Sequence, residues 1–163
     1  MIYRRAIQKQ LIRGRTIQSV AVASIYMACR QCGIIRTLED VASAANITKK
    51  EAARNYRFLL RELKPTVPQV DPQGYISKIV NKLALTGETE RLAMLILNQA
   101  SEMKLTSGRG PSGIAAACIY ISSQLTDERR TQGEIAREAQ VTEVTIRNRY
   151  KELAQRLEFN VQL

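Results

Sequence analysis

The residues best suited to recognition chemistry lie near the end of the chain, between Thr131 and Leu157. Val144, Arg147 and Lys151 are three and four residues apart, so a helix would present all three on one face. An arginine on such a face can donate two hydrogen bonds to guanine, and an apolar side chain can contact a thymine methyl group. Lys151 lies further back, where a phosphate is the expected partner. The pattern predicts a helix that reads duplex DNA.

Two short helices joined by a turn must position these residues. Thr131 and Glu134 form the T-x-x-E pattern of a capping box, which predicts a helix that ends near Ala139. Thr142 then caps a longer helix that runs to about Leu157. This is the spacing of a helix-turn-helix. Its expected buried side is formed by Ile135, Val141, Ile146, Tyr150, Leu153 and Leu157. The alternative is that the two helices are only scaffolding and that their basic side chains are solvated.

The sequence matches itself at an offset of 94 residues. Residues 14–63 align with residues 108–157 without a gap, and fourteen of the fifty pairs are identical. Such self-similarity indicates two copies of one structural unit. Residues 71–94 belong to the second copy, and their counterparts would lie before Met1. The first copy is therefore expected to lack about its first two dozen residues, either as a fragment or as a truncated relative.

Every segment with a clear apolar period predicts a helix, and none shows the alternation of a strand. We expect an all-α protein with a first repeat over residues 1–64, a proline-rich linker over 65–71 and a second repeat over 72–163. A complete repeat has five helices and ends in a helix-turn-helix. The helices are predicted over about 2–12, 16–32, 37–45, 48–63, 72–85, 87–104, 111–125, 131–139 and 142–157.

The first repeat contains a matching helix-turn-helix with more positive charge. Lys49, Lys50 and Arg54 lie on its second helix, and Lys50 holds the position that Val144 has in the second repeat. A lysine at this tip suits a phosphate contact or protein docking better than base reading.

Two Gly-Arg turns, Gly14-Arg15 and Gly108-Arg109, each precede the expected central helix of a repeat. An arginine beside the unpaired N–H groups of a helix N-terminus makes an anion site. The alternative is a glycine that only ends the preceding helix, beside a solvated arginine. The candidates for backbone or supporting contacts with DNA are Gly14, Arg15, Lys49, Lys50, Arg54, Arg109, Thr142, Glu143, Thr145, Arg149 and Lys151.

Composition favours a polyanionic partner and offers little to an enzyme. The net charge is +10, with +9 on residues 1–70 and +1 on residues 71–163. The chain has no histidine, and Cys29 and Cys32 have only the distant Cys118 to join them, whereas a structural zinc needs four ligands. No run approaches the roughly 18 apolar residues that span a bilayer. We expect no catalysis, metal, cofactor or membrane association, and an intracellular location.

The sequence resembles the core of archaeal transcription factor B, the relative of eukaryotic TFIIB, over essentially its whole length. The resemblance rests on four segments: GRTIQSVAVASIYMACRQCGIIRTLEDVA, YRFLLREL, LTSGRGPSGIAAACIYISSQL and VTEVTIRNRYKEL. It implies two cyclin-like repeats of five helices each. It also implies a general initiation factor that clamps the complex of TATA-binding protein and bent promoter DNA.

The resemblance also implies which residues meet the DNA. The second-repeat helix-turn-helix of the family reads the B recognition element, upstream of the TATA box, in the major groove. The positions that match its base-reading residues are Val144 and Arg147. The first-repeat Gly-Arg turn, matched by Gly14 and Arg15, approaches DNA on the downstream side.

Two further expectations concern what this sequence does not match. The family's zinc ribbon and polymerase-contacting linker have no counterpart, so we expect promoter binding without recruitment of RNA polymerase through this part. An archaeal cytoplasmic, nucleoid-associated location follows from the resemblance. The alternative function is a cyclin-like adaptor that binds only proteins, and this alternative predicts no affinity for duplex DNA.

Overall fold

The computed structural model describes residues 1–68 and 70–157. Within them the chain is all-α, with nine helices and no strand. It forms two compact units, Met1–Val70 and Asp71–Leu163. Part of the predicted linker, and the end of the predicted second repeat at residue 163, lie outside the described residues. None of the helices in this part of the chain is long and apolar enough to cross a membrane.

Over the described residues, the first unit contains four helices and the second contains five. Those of the first unit are α1 (Ile2–Gln8), α2 (Ile17–Gln31), α3 (Leu38–Ala44) and α4 (Lys49–Leu63). Those of the second unit are α5 (Pro72–Lys82), α6 (Gly87–Glu102), α7 (Pro111–Leu125), α8 (Gln132–Ala139) and α9 (Glu143–Arg156). At the offset of 94 residues, α1 to α4 correspond to α6 to α9, and α5 has no counterpart.

Threonine side chains start the helices of both helix-turn-helix pairs. Thr131 accepts a hydrogen bond from the backbone N–H of Glu134, whose carboxylate accepts from the Thr131 N–H, so the predicted capping box is confirmed. Thr37 and Asp40 form the same box at the start of α3. Such caps satisfy N–H groups that have no partner within the helix and contribute about 1 kcal/mol each.

Left-handed backbone corners recur at the same offset in both units. The pairs are Gln10 with Lys104, Gly14 with Gly108, Gly33 with Asp127, and Asn46 with Gln140, all with φ between 51° and 71°. The corners at Gln10 and Lys104 end α1 and α6 earlier than predicted, at Gln8 and Glu102 rather than 12 and 104. Of the six corner residues outside the Gly-Arg turns, only Gly33 is a glycine, the residue type that adopts this conformation without steric cost. The backbone therefore turns at the same four positions in both units.

A central helix carries the core of each unit. In the second unit α7 packs against α5, α6, α8 and α9, and its residues from Gly113 to Ile119 are all buried. In the first unit α2 packs against α1, α3 and α4. An edge-to-face tyrosine pair joins the central helix to the last helix in each unit. The ring centroids are 4.9 Å apart in Tyr26–Tyr56 and 5.2 Å apart in Tyr120–Tyr150.

No helix among the described residues covers α2 in the way that α5 covers α7, and one face of α2 is open. Ile25 is 54% exposed, whereas its counterpart Ile119 is 0% exposed on α7. The open face forms an apolar groove of about 550 Å³ between α1 and α2, lined by Met1, Tyr3, Ala21, Ser24, Ile25 and Ala28. The two units thus share one framework but differ in how far the central helix is covered.

Candidate nucleic-acid interface

The exposed face of α9 carries the residues that sequence assigns to base reading. Val144 is 58% exposed, and Arg147 and Lys151 are also exposed. Ile146 and Leu153, on the other side of the helix, are buried against the unit. The helix therefore presents an apolar tip, followed by two cations, to solvent. This is the arrangement that a recognition helix requires.

The start of α9 is held rigidly by hydrogen bonds and close packing. Thr142 accepts from the backbone N–H of Thr145, and the two hydroxyl oxygens lie 2.9 Å apart. Gly113 of α7 allows this close approach, because a Cβ at that position would lie only 3.0 Å from the Thr145 methyl carbon. Glu143 is exposed at the tip. Thr142 and Thr145 therefore stabilise the first turn of α9. Gly113 positions this turn against α7, a role that residue spacing in the sequence does not reveal.

The turn between α8 and α9 is fixed by two further features. Gln140 adopts a left-handed conformation with φ of 55°, the backbone shape for which glycine is more usual. The Ser112 hydroxyl at the start of α7 donates a hydrogen bond of 2.5 Å to the carbonyl oxygen of Ala139. The turn is thereby tied to the central helix.

Arg109, in the second Gly-Arg turn, contacts α9 rather than lying free in solvent. Its Nη2 lies 3.0 Å from Oε1 of Glu152. Arg149, three residues before Glu152 on α9, donates to the other oxygen of the same carboxylate. One carboxylate therefore partners both arginines.

Arg15, in the first Gly-Arg turn, is held by uncharged groups. Its Nη1 donates to the Asn55 side-chain oxygen at 2.7 Å, and its guanidinium carbon lies 3.7 Å from the centroid of the Phe58 ring. Gly14 before it has φ of +71°, which permits the turn. Both Gly-Arg turns are thus anchored to the last helix of their unit, an arrangement that neither reading from sequence anticipated.

The basic residues of α4 lie on the surface of the first unit. Lys49, Lys50 and Arg54 are all exposed. Lys49 pairs with Glu39 of α3 at 3.6 Å, which offsets part of its charge. Lys50, at the position of Val144, gives this helix a cationic tip.

The three cysteines differ in how far they are buried. Cys118 is buried in α7, and burial raises the pKa of its thiol to about 12, so it stays protonated at neutral pH. Cys29 is half-buried and Cys32 is exposed. Across residues 1–68 and 70–157, no group of three or more histidine, cysteine or acidic side chains is placed to hold a metal ion.

A family model for the transcription factor TFIIB repeat matches residues 1–62, within the first unit, and residues 65–156, most of which lie in the second unit. The chain belongs to the TFIIB family. Transcription initiation factor IIB of Methanosphaerula palustris is 52% identical over 161 residues, which is 99% of this chain and 48% of the relative. That of Sulfurisphaera tokodaii is 52% identical over 161 residues, 99% of this chain and 52% of the relative.

A third relative in the TFIIB family is longer. Transcription initiation factor IIB of Methanocaldococcus jannaschii is 53% identical over 163 residues, 100% of this chain and 24% of the relative. The chain thus spans about half the length of the first two relatives and about a quarter of the third. All three come from archaea. The expected family and the all-α architecture of two cyclin-like repeats are therefore confirmed.

The TFIIB repeats also contain functional candidates that the sequence prediction missed. Glu152 partners Arg109 and Arg149, while Asn55 and Phe58 hold Arg15. The alignment of the two repeats shows that these positions differ in charge, since Asn55 aligns with Arg149 and Phe58 aligns with Glu152. It could not be interpreted without knowing that the Gly-Arg turn reaches the last helix.

Proposed function

We propose that this chain is the promoter-binding core of a general transcription initiation factor. In this proposal it binds double-stranded promoter DNA together with TATA-binding protein. Its second unit reads the B recognition element upstream of the TATA box. The observation that carries the proposal is the exposed Val144 beside Arg147 on α9 of a TFIIB-family chain.

The proposed contact follows from the geometry of α9. An α-helix fits the major groove of B-DNA, where an arginine can pair with the O6 and N7 atoms of guanine. Arg147 lies one turn behind Val144, so the helix tip would offer a methyl contact and a bidentate donor to successive bases. Lys151 would meet the phosphates behind them.

Binding to unbent DNA is expected to be weak and sensitive to salt, because the remaining contacts are mainly with phosphates. A site already bent by TATA-binding protein would be bound more tightly, since the partner supplies the deformation energy of the DNA. We propose that the chain acts by binding rather than by catalysis. RNA polymerase would be engaged by other parts of a full-length family member, and the setting is the archaeal cytoplasm, at the nucleoid.

The decisive test is a gel shift on a duplex that contains a TATA box. The chain is added with and without archaeal TATA-binding protein, to duplexes with the upstream element intact or scrambled. We expect a supershift that requires both the partner and the intact element. The absence of DNA binding in all four arms would instead support the alternative function, a cyclin-like adaptor that binds only proteins.

The exposed lysine at the tip of α4 should act on affinity and not on sequence preference. Lys50→Gln is expected to weaken binding to intact and scrambled duplexes alike and to flatten the salt dependence by about one unit of slope, since one phosphate contact contributes about 0.9. Lys49→Gln should have a smaller effect because Lys49 already pairs with Glu39.

Lys82→Gln on α5 is the matched control for these lysine variants, because it removes the same charge from a lysine paired with Glu138. Equal slopes for the wild-type, Lys50→Gln and Lys82→Gln proteins would contradict a phosphate contact at Lys50.

A further inference from the structure

The second unit has little surplus charge for holding DNA. Residues 71–163 carry 12 lysine and arginine side chains against 11 aspartate and glutamate side chains, whereas residues 1–70 carry 13 against 4. Phosphate contacts supply most of the affinity of non-specific DNA binding, and each contact needs an available cation. The placement of individual carboxylates in the second unit therefore matters.

Glu152 pairs with two arginines whose positive charge could otherwise attract DNA phosphates. It joins Arg109, in the Gly-Arg turn, to Arg149, on the recognition helix itself. The side chains of Arg109, Arg149 and Glu152 are 43%, 21% and 27% exposed, so the cluster is at the surface but partly shielded from solvent. A phosphate that approached either guanidinium would meet the negative charge of this carboxylate beside it, and its attraction would be weaker.

The first unit provides an internal comparison. At the offset of 94 residues, Glu152 corresponds to Phe58 and Arg149 corresponds to Asn55. These two neutral residues hold Arg15 in place by a hydrogen bond of 2.7 Å and by ring stacking. Arg15 is therefore held in place by neutral side chains, which do not offset its positive charge. The same turn is anchored in both units, yet only the second unit uses a carboxylate.

We propose that Glu152 is a specificity-determining residue that restrains non-specific DNA binding by the second unit. By pairing with Arg109 and Arg149, it lowers the sequence-independent attraction to phosphates and leaves recognition to Val144 and Arg147. This inference rests on the proposed DNA-binding function of the second unit. It assigns Arg109 and Arg149 to the restraint in the free protein rather than to standing phosphate contacts.

The test compares Glu152→Gln with Glu138→Gln. Both variants remove one negative charge, and Glu138 pairs with Lys82 between α8 and α5 instead of with the arginine cluster. Binding to a random-sequence duplex is measured by fluorescence anisotropy at several salt concentrations. We expect Glu152→Gln to tighten this binding about three- to ten-fold near 0.1 M salt and to steepen the salt slope by about one to two units. Glu138→Gln should change both much less.

The same proteins are then compared on the promoter duplex with TATA-binding protein. Glu152→Gln should reduce the ratio of affinities for intact and scrambled upstream elements, because only the sequence-independent term grows. Glu152→Phe, which reproduces the Phe58 arrangement, should act in the same direction and keeps the test available if the glutamine variant fails to fold. Thermal unfolding of each variant confirms that the fold is retained.

Two outcomes would overturn the inference in different ways. Equal effects of Glu152→Gln and Glu138→Gln, or weaker non-specific binding by Glu152→Gln, would refute the restraint while leaving the proposed function intact. A wild-type chain that binds no promoter duplex, even with TATA-binding protein, would refute the proposed function and this inference with it.

Discussion

Arg147→Ala is expected to weaken binding to a promoter with an intact upstream element by about 1–3 kcal/mol, the cost of losing a bidentate contact with a base. Binding to the scrambled element should change little, so the preference for the intact element should fall. The exposed position of Arg147 on α9 means that the substitution removes a recognition group without disturbing the buried side of the helix. Competition gel shifts in the presence of TATA-binding protein would measure both affinities.

The control for Arg147→Ala is Arg91→Ala, which removes an exposed arginine from α6 in the same unit. It should lower affinity for both duplexes slightly and leave their ratio unchanged. A loss of equal size on intact and scrambled elements for Arg147→Ala would mean that this arginine contacts phosphates, and base reading by α9 would then have to be abandoned.

Ile119→Ala is expected to lower the free energy of unfolding of the second unit by about 2–5 kcal/mol, the range for removing a fully buried isoleucine side chain. Ile119 is 0% exposed on the central helix α7, where α5 and α6 pack. Its counterpart Ile25 is 54% exposed on the open face of α2. The same substitution at Ile25 should cost less than about 1 kcal/mol, because little apolar surface leaves the core.

Urea unfolding of the two alanine variants, followed by circular dichroism, would test this difference. The pair controls for residue type, helix position and backbone context at once, since the two isoleucines are equivalent in the repeat. Similar destabilisation at both positions would show that the open face of α2 is covered in solution.

The repeated framework could be predicted from the sequence because it depends on patterns within single helices and on the similarity of the two repeats. The offset of 94 residues, the threonine caps such as Thr131, and the apolar spacing of Ile146 and Leu153 all act within one helix or between copies. The same signals predicted that Val144 and Arg147 would share an exposed face. These features require no knowledge of how distant segments meet.

The parts that sequence did not predict depend on contacts between distant segments. Helices α1 and α6 end earlier than predicted because Gln10 and Lys104 adopt left-handed conformations, which glutamine and lysine rarely adopt. The approach of Gly113 to Thr145 and the pairing of Arg109 with Glu152 join segments more than 30 residues apart. Spacing along a single helix carries no information on such contacts.

The buried thiol of Cys118 can serve as a probe for opening of the core of the second unit. A thiol reagent attacks a thiolate that it can reach, and this sulfur is enclosed in α7 with its pKa raised to about 12. The exposed Cys32 of the first unit can react at once. Slow labelling of Cys118 therefore reports how often the core around α7 opens, separately from any motion of the first unit. The rate would reveal whether DNA binding keeps that core closed.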